Sequence, residues 1–236
     1  MHLVLFDVDG TLLKCHGQGG RAFLEAVSEV YETVVDPARA TFAGRTDSSI
    51  LYDLLEDAGL SRGEIDARLP AMKSAYLARM NDGFLDPARM ELLVGVEPLL
   101  DRLRLRSVDV AVGLLTGNWR GGAQAKLAAV GLDGYFAFGA FADDGVDRRE
   151  LPPVALMRAG EHHGRVFDAD RTLIVGDTLH DVDCALHHGM RAVGVATGSS
   201  SRAELEAAGA DRVFDSFDGV SVEALLGAAP SAEPAG

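Results

Sequence analysis

Residues 3–11 read LVLFDVDGT, an apolar run that meets two aspartates and then a Gly-Thr pair. Apolar residues in succession, without polar alternation, are typical of a strand buried on both faces, as in a parallel sheet covered by helices. Gly10 permits a tight turn directly after the strand, and this turn lifts Asp7 and Asp9 to the carboxyl end of the sheet. Open α/β sheets bind their ligands at that end.

Similar apolar runs recur later in the chain, and helix-length patterns separate them. Each of these helical patterns ends at a glycine, a residue that is favoured at helix C-termini. The alternation predicts an α/β fold with a Rossmann-like parallel sheet. The predicted strands are 3–6, 108–115, 172–175, 191–196 and a less apolar run at 212–217, and the predicted helices between them are 120–130, 154–163 and 181–188.

The interval between the first two predicted strands is far longer than the roughly dozen residues that a simple crossover needs. It holds an apolar stripe at helical spacing over 17–35 and a second helix that Asp47 can cap. Ser61 and Glu64 form a capping-box pattern for a third helix, which Pro70 should kink or end. We therefore predict an inserted all-helical cap domain over 15–87, a core domain over 1–14 and 88–226, and a disordered, Ala-, Pro- and Gly-rich tail over 227–236.

The composition excludes several classes of function. Lys plus Arg number 22 against 36 Asp plus Glu, a formal net charge of −14, so there is no basic surplus to attract nucleic acid or an anionic membrane. No apolar run approaches the roughly 20 residues that span a bilayer, and the N-terminal run is too short for a signal peptide. Two distant cysteines outside any CxxC pattern argue against a disulfide scaffold. We expect a cytoplasmic protein whose partners include neither nucleic acid nor a membrane.

Polar groups follow three of the predicted strands and should meet at one edge of the sheet. Asp7 and Asp9 follow the first strand, Thr116-Gly117-Asn118 the second, and Asp177 the third, with Asp181 one helical turn later. Carboxylates ~4 Å apart repel by about 4 kcal/mol at an effective dielectric constant of about 20, so a cluster of Asp7, Asp177 and Asp181 requires a cation. All-oxygen ligands, without Cys or His at metal spacing, point to Mg²⁺.

The combination DVDGTL at 7–12, LLTGN at 114–118 and GDTLHD at 176–181 resembles the haloacid dehalogenase superfamily of phosphohydrolases. The resemblance is to its phosphoglycolate phosphatase-like members with a helical cap. It covers nearly the whole chain and rests on three motifs in the family's order. It implies that Asp7 is the nucleophile and a metal ligand, and that Asp9 is the general acid/base and binds the metal through its backbone carbonyl.

The resemblance also implies roles for the remaining motif residues. Thr116 and the amides around Gly117 and Asn118 would hold the phosphoryl oxygens, while Asp177 and Asp181 would complete the Mg²⁺ shell. A proton donor must be protonated, and the negative neighbours of Asp9 are expected to raise its pKa. Together these roles describe a magnesium-dependent phosphatase that hydrolyses a small phosphomonoester through an aspartyl-phosphate intermediate.

One motif departs from the family pattern. The family usually has a lysine followed shortly by proline, whereas this chain reads DRRELPP at 147–153. A guanidinium can stabilise the same charge, and its forked donors suit phosphate. We expect Arg148 to replace the lysine, with Arg149 as the second choice.

A loop of the insert, Gly44-Arg45-Thr46-Asp47, resembles the cap loop that meets the substrate in related enzymes. An arginine beside a helix N-terminus forms a ready anion site, so Arg45 and Thr46 are predicted to bind substrate. The alternative is that Asp47 is an ordinary N-cap beside an exposed Arg45.

Other functions would use the same motif residues. A phosphomutase of the superfamily would need the same set, and only the release of free phosphate distinguishes the two. The alternative from another class is a receiver-like signalling module or an inactive phosphate-binding scaffold. A receiver carries its phosphoacceptor at a later strand, and dehalogenation needs no leaving-group acid at the position of Asp9. The sequence does not determine the physiological substrate or the oligomeric state.

Overall fold

The centre of the molecule is a parallel sheet whose apolar strands are covered by helices on both faces. A computed structural model describes residues 1–227, and the strands in this part are β1 (His2–Phe6), β2 (Leu13–Lys14), β3 (Glu91–Leu92), β4 (Val110–Leu115), β5 (Gly139–Ala140), β6 (Thr172–Gly176), β7 (Arg191–Val195) and β8 (Arg212–Phe214). The sheet order is β5-β4-β1-β6-β7-β8, with every pairing parallel. The predicted α/β fold with a Rossmann-like parallel sheet is confirmed.

Three strands of the structure carry too little pattern to be predicted from sequence. β5 has two residues and pairs only with the end of β4. β2 and β3 also have two residues each and pair antiparallel, Leu13 with Leu92 and Lys14 with Glu91. This small pair joins the two ends of the insert directly after the turn that follows β1.

The helices of residues 1–227 cover the sheet and build the insert. They are α1 (Gln18–Tyr31), α2 (Asp47–Asp57), α3 (Arg62–Arg79), α4 (Val96–Leu105), α5 (Arg120–Ala129), α6 (Leu151–His163), α7 (Leu179–His187), α8 (Arg202–Ala207) and α9 (Val222–Leu226). Helices α1, α2 and α3 lie between β1 and β4 in the chain, and residues 15–87 contain no strand. The predicted all-helical character of the insert is confirmed.

Two predictions about helix ends are wrong. Thr46, and not Asp47, is the N-cap of α2, because the Thr46 hydroxyl accepts the Ser49 N–H at 3.0 Å while the Asp47 carboxylate is bonded elsewhere. Helix α6 begins at Leu151 and not at Val154, because prolines are tolerated in the first turn, where their missing N–H groups have no helical partner.

Pro70 is predicted from the sequence either to end or to kink the third helix. It does not end the helix, since α3 continues from Arg62 to Arg79 through Pro70. The helix is anchored on both sides of the proline: Ser61 and Glu64 form a capping box at its start, and Met72 and Tyr76 are buried in its second half. Burial of this face offsets the backbone hydrogen bond that the proline removes.

The insert has its own apolar cluster, formed mainly by residues of α1, α2 and α3. Trp119 and Ala142, which come from loops at the edge of the parallel sheet, also pack into this cluster. The division into a cap domain over 15–87 and a core domain over 1–14 and 88–226 stays a prediction. The predicted tail lies, from residue 228 on, outside the described residues. Among those described, no helix is both long and apolar enough to cross a membrane.

Candidate active site

A cavity of about 320 Å³ lies between the carboxyl ends of β1, β4 and β6 and the helical insert. It forms there because the parallel strands end together and deliver their following residues to one edge. Most of the predicted site residues line it: Asp7, Asp9, Arg45, Thr116, Gly117, Asn118, Arg148 and Asp177. Thr46, Arg149 and Asp181 are not part of the lining.

Three buried carboxylates meet at the base of this cavity. Asp7, Asp177 and Asp181 each offer an oxygen, and these oxygens lie within 4.8 Å of one another. Close packing holds the group together, because a Cβ at Gly198 would lie 1.7 Å from Asp177 Oδ2 and one at Gly176 would lie 2.0 Å from Asp181 Cγ. The predicted spacing of two acidic motifs therefore does produce one acidic cluster.

The electrostatics of the cluster favour a cation. Burial, reinforced by neighbouring carboxylates, raises the pKa of Asp7 to about 6 and that of Asp177 to about 7. The Arg148 guanidinium opposes this rise at Asp7. A divalent cation among these oxygens would remove the mutual repulsion, and an all-oxygen donor set fits Mg²⁺.

Arg148 reaches the cluster from the turn before α6. Its side chain is 6% exposed, and Nη2 lies 3.2 Å from Asp7 Oδ1 and 2.5 Å from Asp181 Oδ1. The short 3₁₀ turn Arg148–Glu150, capped by Asp147, aims this side chain inward. The structure thus brings the first-choice arginine to the acidic cluster.

Arg149, the second candidate for the position of the family's lysine, points away from the cavity. Arg149 makes a two-pronged ion pair with Asp183, with both N–O distances at 2.7 Å, on the exposed side of the same turn. Of the two arginines, only Arg148 lines the cavity, so the structure gives the predicted phosphate-binding role of Arg149 no support and that role stays a prediction.

Asp9 has a cationic partner that the sequence analysis missed. Lys126 of α5 is buried, and its Nζ donates to Asp9 Oδ2 and to Asn118 Oδ1, both at 2.6 Å. Ala123, Lys126 and Leu127 are all buried and share one face of α5 at helical spacing. A lysine on an otherwise apolar face was the signal available in the sequence.

The pKa of Asp9 lies below its ordinary value, contrary to the expectation from sequence. Burial alone would raise this pKa, but the Lys126 ammonium and hydrogen bonds from Lys126, Asn118 and Cys15 outweigh it. Negative neighbours alone predict a raised pKa, and Lys126 reverses the sign. The surroundings of Asp9 therefore favour its ionised form.

The loop after β4 brings the predicted phosphate-binding groups together. Thr116 is fully buried, and its Oγ1 accepts an N–H from Asn118 Nδ2 at 2.8 Å. A Cβ at Gly117 would lie 2.0 Å from the Arg45 carbonyl oxygen, so only glycine allows the insert to approach this loop so closely. The Asp47 N–H donates to the Gly117 carbonyl at 2.7 Å and fixes the approach.

The cap loop contributes one predicted residue and one unpredicted residue to the cavity. Arg45 lines the cavity and is paired with Asp53 through its guanidinium. Asp47, not predicted as a site residue, also lines it and accepts the Trp119 N–H at 2.7 Å, and burial raises its pKa to about 7. Thr46 caps α2 and is not part of the cavity lining, so its predicted role in substrate binding stays a prediction.

Part of the cavity wall is apolar and belongs to the insert. Phe23, Phe42 and Tyr76 line it beside a stretch at the start of α1 that contains Gly19 and Gly20. Phe23 stacks on Trp119 with ring centroids 5.4 Å apart, which ties this wall to the sheet. A ligand in the cavity would meet both charged side chains and aromatic faces.

This chain is similar to known proteins over most of its length. A family model described as haloacid dehalogenase-like hydrolase matches residues 4–195. The protein named Probable phosphatase IndB, from Dickeya dadantii (strain 3937), is 30% identical over 231 residues, which are 95% of this chain and 94% of IndB.

Two solved structures share the fold. CbbY from Rhodobacter sphaeroides, solved in complex with phosphate, has a TM-score of 0.66 at 23% identity and covers 92% of this chain and 95% of its own. A beta-phosphoglucomutase from Clostridium difficile has a TM-score of 0.70 at 18% identity, with 96% of each chain covered.

Proposed function

This chain belongs to the haloacid dehalogenase-like hydrolase family, and we propose that it is a Mg²⁺-dependent phosphatase that hydrolyses a small phosphomonoester through an aspartyl phosphate on Asp7. One observation carries the proposal: Asp7 lines a cavity in which Arg148, Asp177 and the Asp9–Lys126 pair also meet. The phosphatase name of the IndB relative supports the same reaction class.

Asp7, Asp177 and Asp181 would hold the Mg²⁺ ion, with the backbone carbonyl of Asp9. A divalent cation would offset the repulsion among these three buried carboxylates, which supports their assignment as its ligands. When bound, the ion supplies positive charge that neutralises a dianionic phosphoryl group and keeps Asp7 ionised.

Asp7 is the nucleophile in this proposal. One of its carboxylate oxygens attacks phosphorus, an O–P bond forms, and the bond between phosphorus and the ester oxygen breaks with its electron pair on the leaving alcohol. Arg148, the Thr116 hydroxyl and the amides of the loop 116–118 stabilise the negative charge on the phosphoryl oxygens.

Asp9 moves the protons. It gives a proton to the leaving oxygen in the first step and takes one from water in the second, when water attacks the aspartyl phosphate and frees Asp7. The lowered pKa of Asp9 favours the ionised form that the second step requires, and the first step requires that Asp9 take up a proton before the ester bond breaks.

The insert selects the substrate and excludes bulk water. A cavity of about 320 Å³ is of a size that suits a small phosphomonoester. Arg45 lies on the insert side of the cavity and is proposed to bind the part of the substrate that is not transferred.

The test is a phosphate-release screen of the purified protein against a panel of small phosphomonoesters, with Mg²⁺ and after exhaustive chelation. We expect at least one substrate to release free phosphate in proportion to its consumption, only with Mg²⁺. Conversion of a sugar phosphate without free phosphate would favour the mutase alternative. Full activity after chelation, or no turnover on any ester, would contradict the proposal.

A further inference from the structure

We propose that Lys126 is a positioning residue for phosphoryl transfer, which orients the Asp9 carboxylate and, through the Asn118 amide, the Thr116 hydroxyl. The inference rests on the proposed phosphatase function, and the family motifs do not include this lysine. It comes from a closed hydrogen-bonded ring in which Lys126 donates to Asp9 and Asn118, and Asn118 Nδ2 donates to Asp9 Oδ2 at 2.8 Å.

The ring settles which Asp9 oxygen is available for chemistry. Oδ2 accepts from both Lys126 and Asn118, whereas Oδ1 accepts only the weak Cys15 thiol at 3.4 Å among the described residues. Since the Asp9 side chain is 38% exposed and lines the cavity, Oδ1 is the oxygen free to face a leaving group.

The ring also settles the orientation of the Thr116 hydroxyl. Lys126 can only donate, so it holds Asn118 Oδ1 and turns Nδ2 toward Thr116 Oγ1. Thr116 accepts this N–H, and its own O–H proton is therefore left to donate to another group. In the loaded cavity that group is a phosphoryl oxygen.

Space for the lysine stem is provided by the start of α1. A Cβ at Gly19 would lie 3.1 Å from Lys126 Cε and 3.4 Å from Nζ. A side chain there would require the lysine stem to shift by a few tenths of an ångström. A buried ammonium on an otherwise apolar helix face is a costly choice for packing alone, and a hydrophobic side chain of similar volume is often no less stable.

The test compares Lys126→Met with Lys73→Met as a matched control. Lys73 makes a Lys–Asp pair of similar length, 2.7 Å to Asp143, but lies outside the cavity. We expect Lys126→Met to lower kcat on the order of 10²-fold, with a smaller change in KM, because a displacement of about 1 Å at a reacting group has this size of effect. Lys73→Met should leave both constants unchanged.

A double-mutant cycle separates positioning from general damage. In an Asp9→Asn background, Lys126→Met should lower kcat by clearly less than it does in the wild-type protein, because the Asp9 part of its effect is already lost and only the part that acts through Asn118 and Thr116 remains. The kcat of Lys126→Ala should be partly restored by propylammonium and not by tetramethylammonium, which has no N–H to donate. Additive losses, or equal responses to the two ions, would overturn the proposal.

A crystal structure of Lys126→Met tests the positioning role of Lys126 independently of turnover. We expect the Asp9 and Asn118 side chains to leave the orientations they have here. Retention of both orientations would overturn the positioning role even if the wild-type protein is an active phosphatase. Absence of wild-type phosphate release would instead contradict the proposed function, while the structural comparison would still decide the role of Lys126.

Discussion

The guanidinium of Arg148 lies 3.2 Å from the carboxylate of Asp7, and both side chains are buried. The resemblance to the family leads one to expect a lysine ammonium near the nucleophile. Here the charge is the same but the group is planar, and one of its nitrogens, Nη2, contacts both Asp7 and Asp181.

This relationship predicts different outcomes for two adjacent arginines. Arg148→Met should lower kcat/KM by about 10²- to 10³-fold, the size of effect seen when one charge-stabilising donor is removed. Arg148→Lys should retain more activity than Arg148→Met because it keeps the charge. Arg149→Met is the control and should be close to wild type, since Arg149 pairs with exposed Asp183. Equal losses at the two positions, measured by steady-state phosphate release, would exclude the assignment.

Asp9→Asn should lower turnover by about 10²- to 10⁴-fold, the range that a positioned acid/base contributes. The loss should be smaller for an aryl phosphate than for an alkyl phosphate, because a good leaving group needs less protonation. Parallel kinetics on one ester of each kind provide the measurement. If both esters suffer equally, Asp9 is not the group that protonates the leaving oxygen.

Arg45→Ala should lower kcat/KM for the best ester found in the screen. The transition-state stabilisation lost should be about 1.5 to 3 kcal/mol, the range for a hydrogen bond to a charged group. A generic aryl phosphate without the remote group should be nearly unaffected. Asp53→Ala is the control, because it breaks the Arg45 ion pair but keeps the arginine. Equal losses on both substrates would mean that Arg45 serves the phosphoryl group or the fold.

Because the Asp47 carboxyl is buried, we expect the difference in stability between the wild-type protein and Asp47→Asn to depend on pH. Burial raises its pKa from 3.8 to about 7, so the folded protein binds the proton more tightly than the unfolded chain does. The carboxyl's contribution to stability is therefore fully present below about pH 4 and is lost as the pH rises through about 7. Asp47→Asn cannot ionise and keeps an acceptor for the Trp119 N–H.

Relative to wild type, Asp47→Asn should be more stable at about pH 8 than at about pH 5 by on the order of 2 to 4 kcal/mol. Thermal unfolding at the two pH values measures the difference. Asp53→Asn, which changes an exposed carboxylate, corrects for the loss of one surface charge. A pH-independent difference for Asp47→Asn would show that Asp47 is ionised throughout this range.

The sheet and the acidic cluster could be predicted because they depend on local patterns. The longer strands of the sheet are runs of mainly apolar residues. Asp7 directly follows β1 and Asp177 directly follows β6, so the parallel pairing of these two strands brings the two carboxylates together. Gly117 could be recognised as part of a motif, but the 2.0 Å approach of the Arg45 carbonyl that requires a glycine could not.

The missed features depend on contacts between distant residues. Lys126 is 117 residues from Asp9 in the chain, and only the packing of α5 beside the sheet makes them partners. Without Lys126 as a partner, the pKa of Asp9 is predicted to rise, whereas in the structure it is lowered. Likewise, the choice between Arg148 and Arg149 depended on which side of a short turn faces the cavity, a question that local pattern does not answer.

Acid quenching of the protein during turnover of its best ester tests the central claim most directly. Borohydride reduction converts an aspartyl phosphate to homoserine, and peptide mass spectrometry then locates it. We predict conversion at Asp7 in the wild-type protein, and neither conversion nor turnover in Asp7→Asn. Steady phosphate release by an Asp7→Asn protein free of deamidation, or conversion at a different aspartate, would contradict the account.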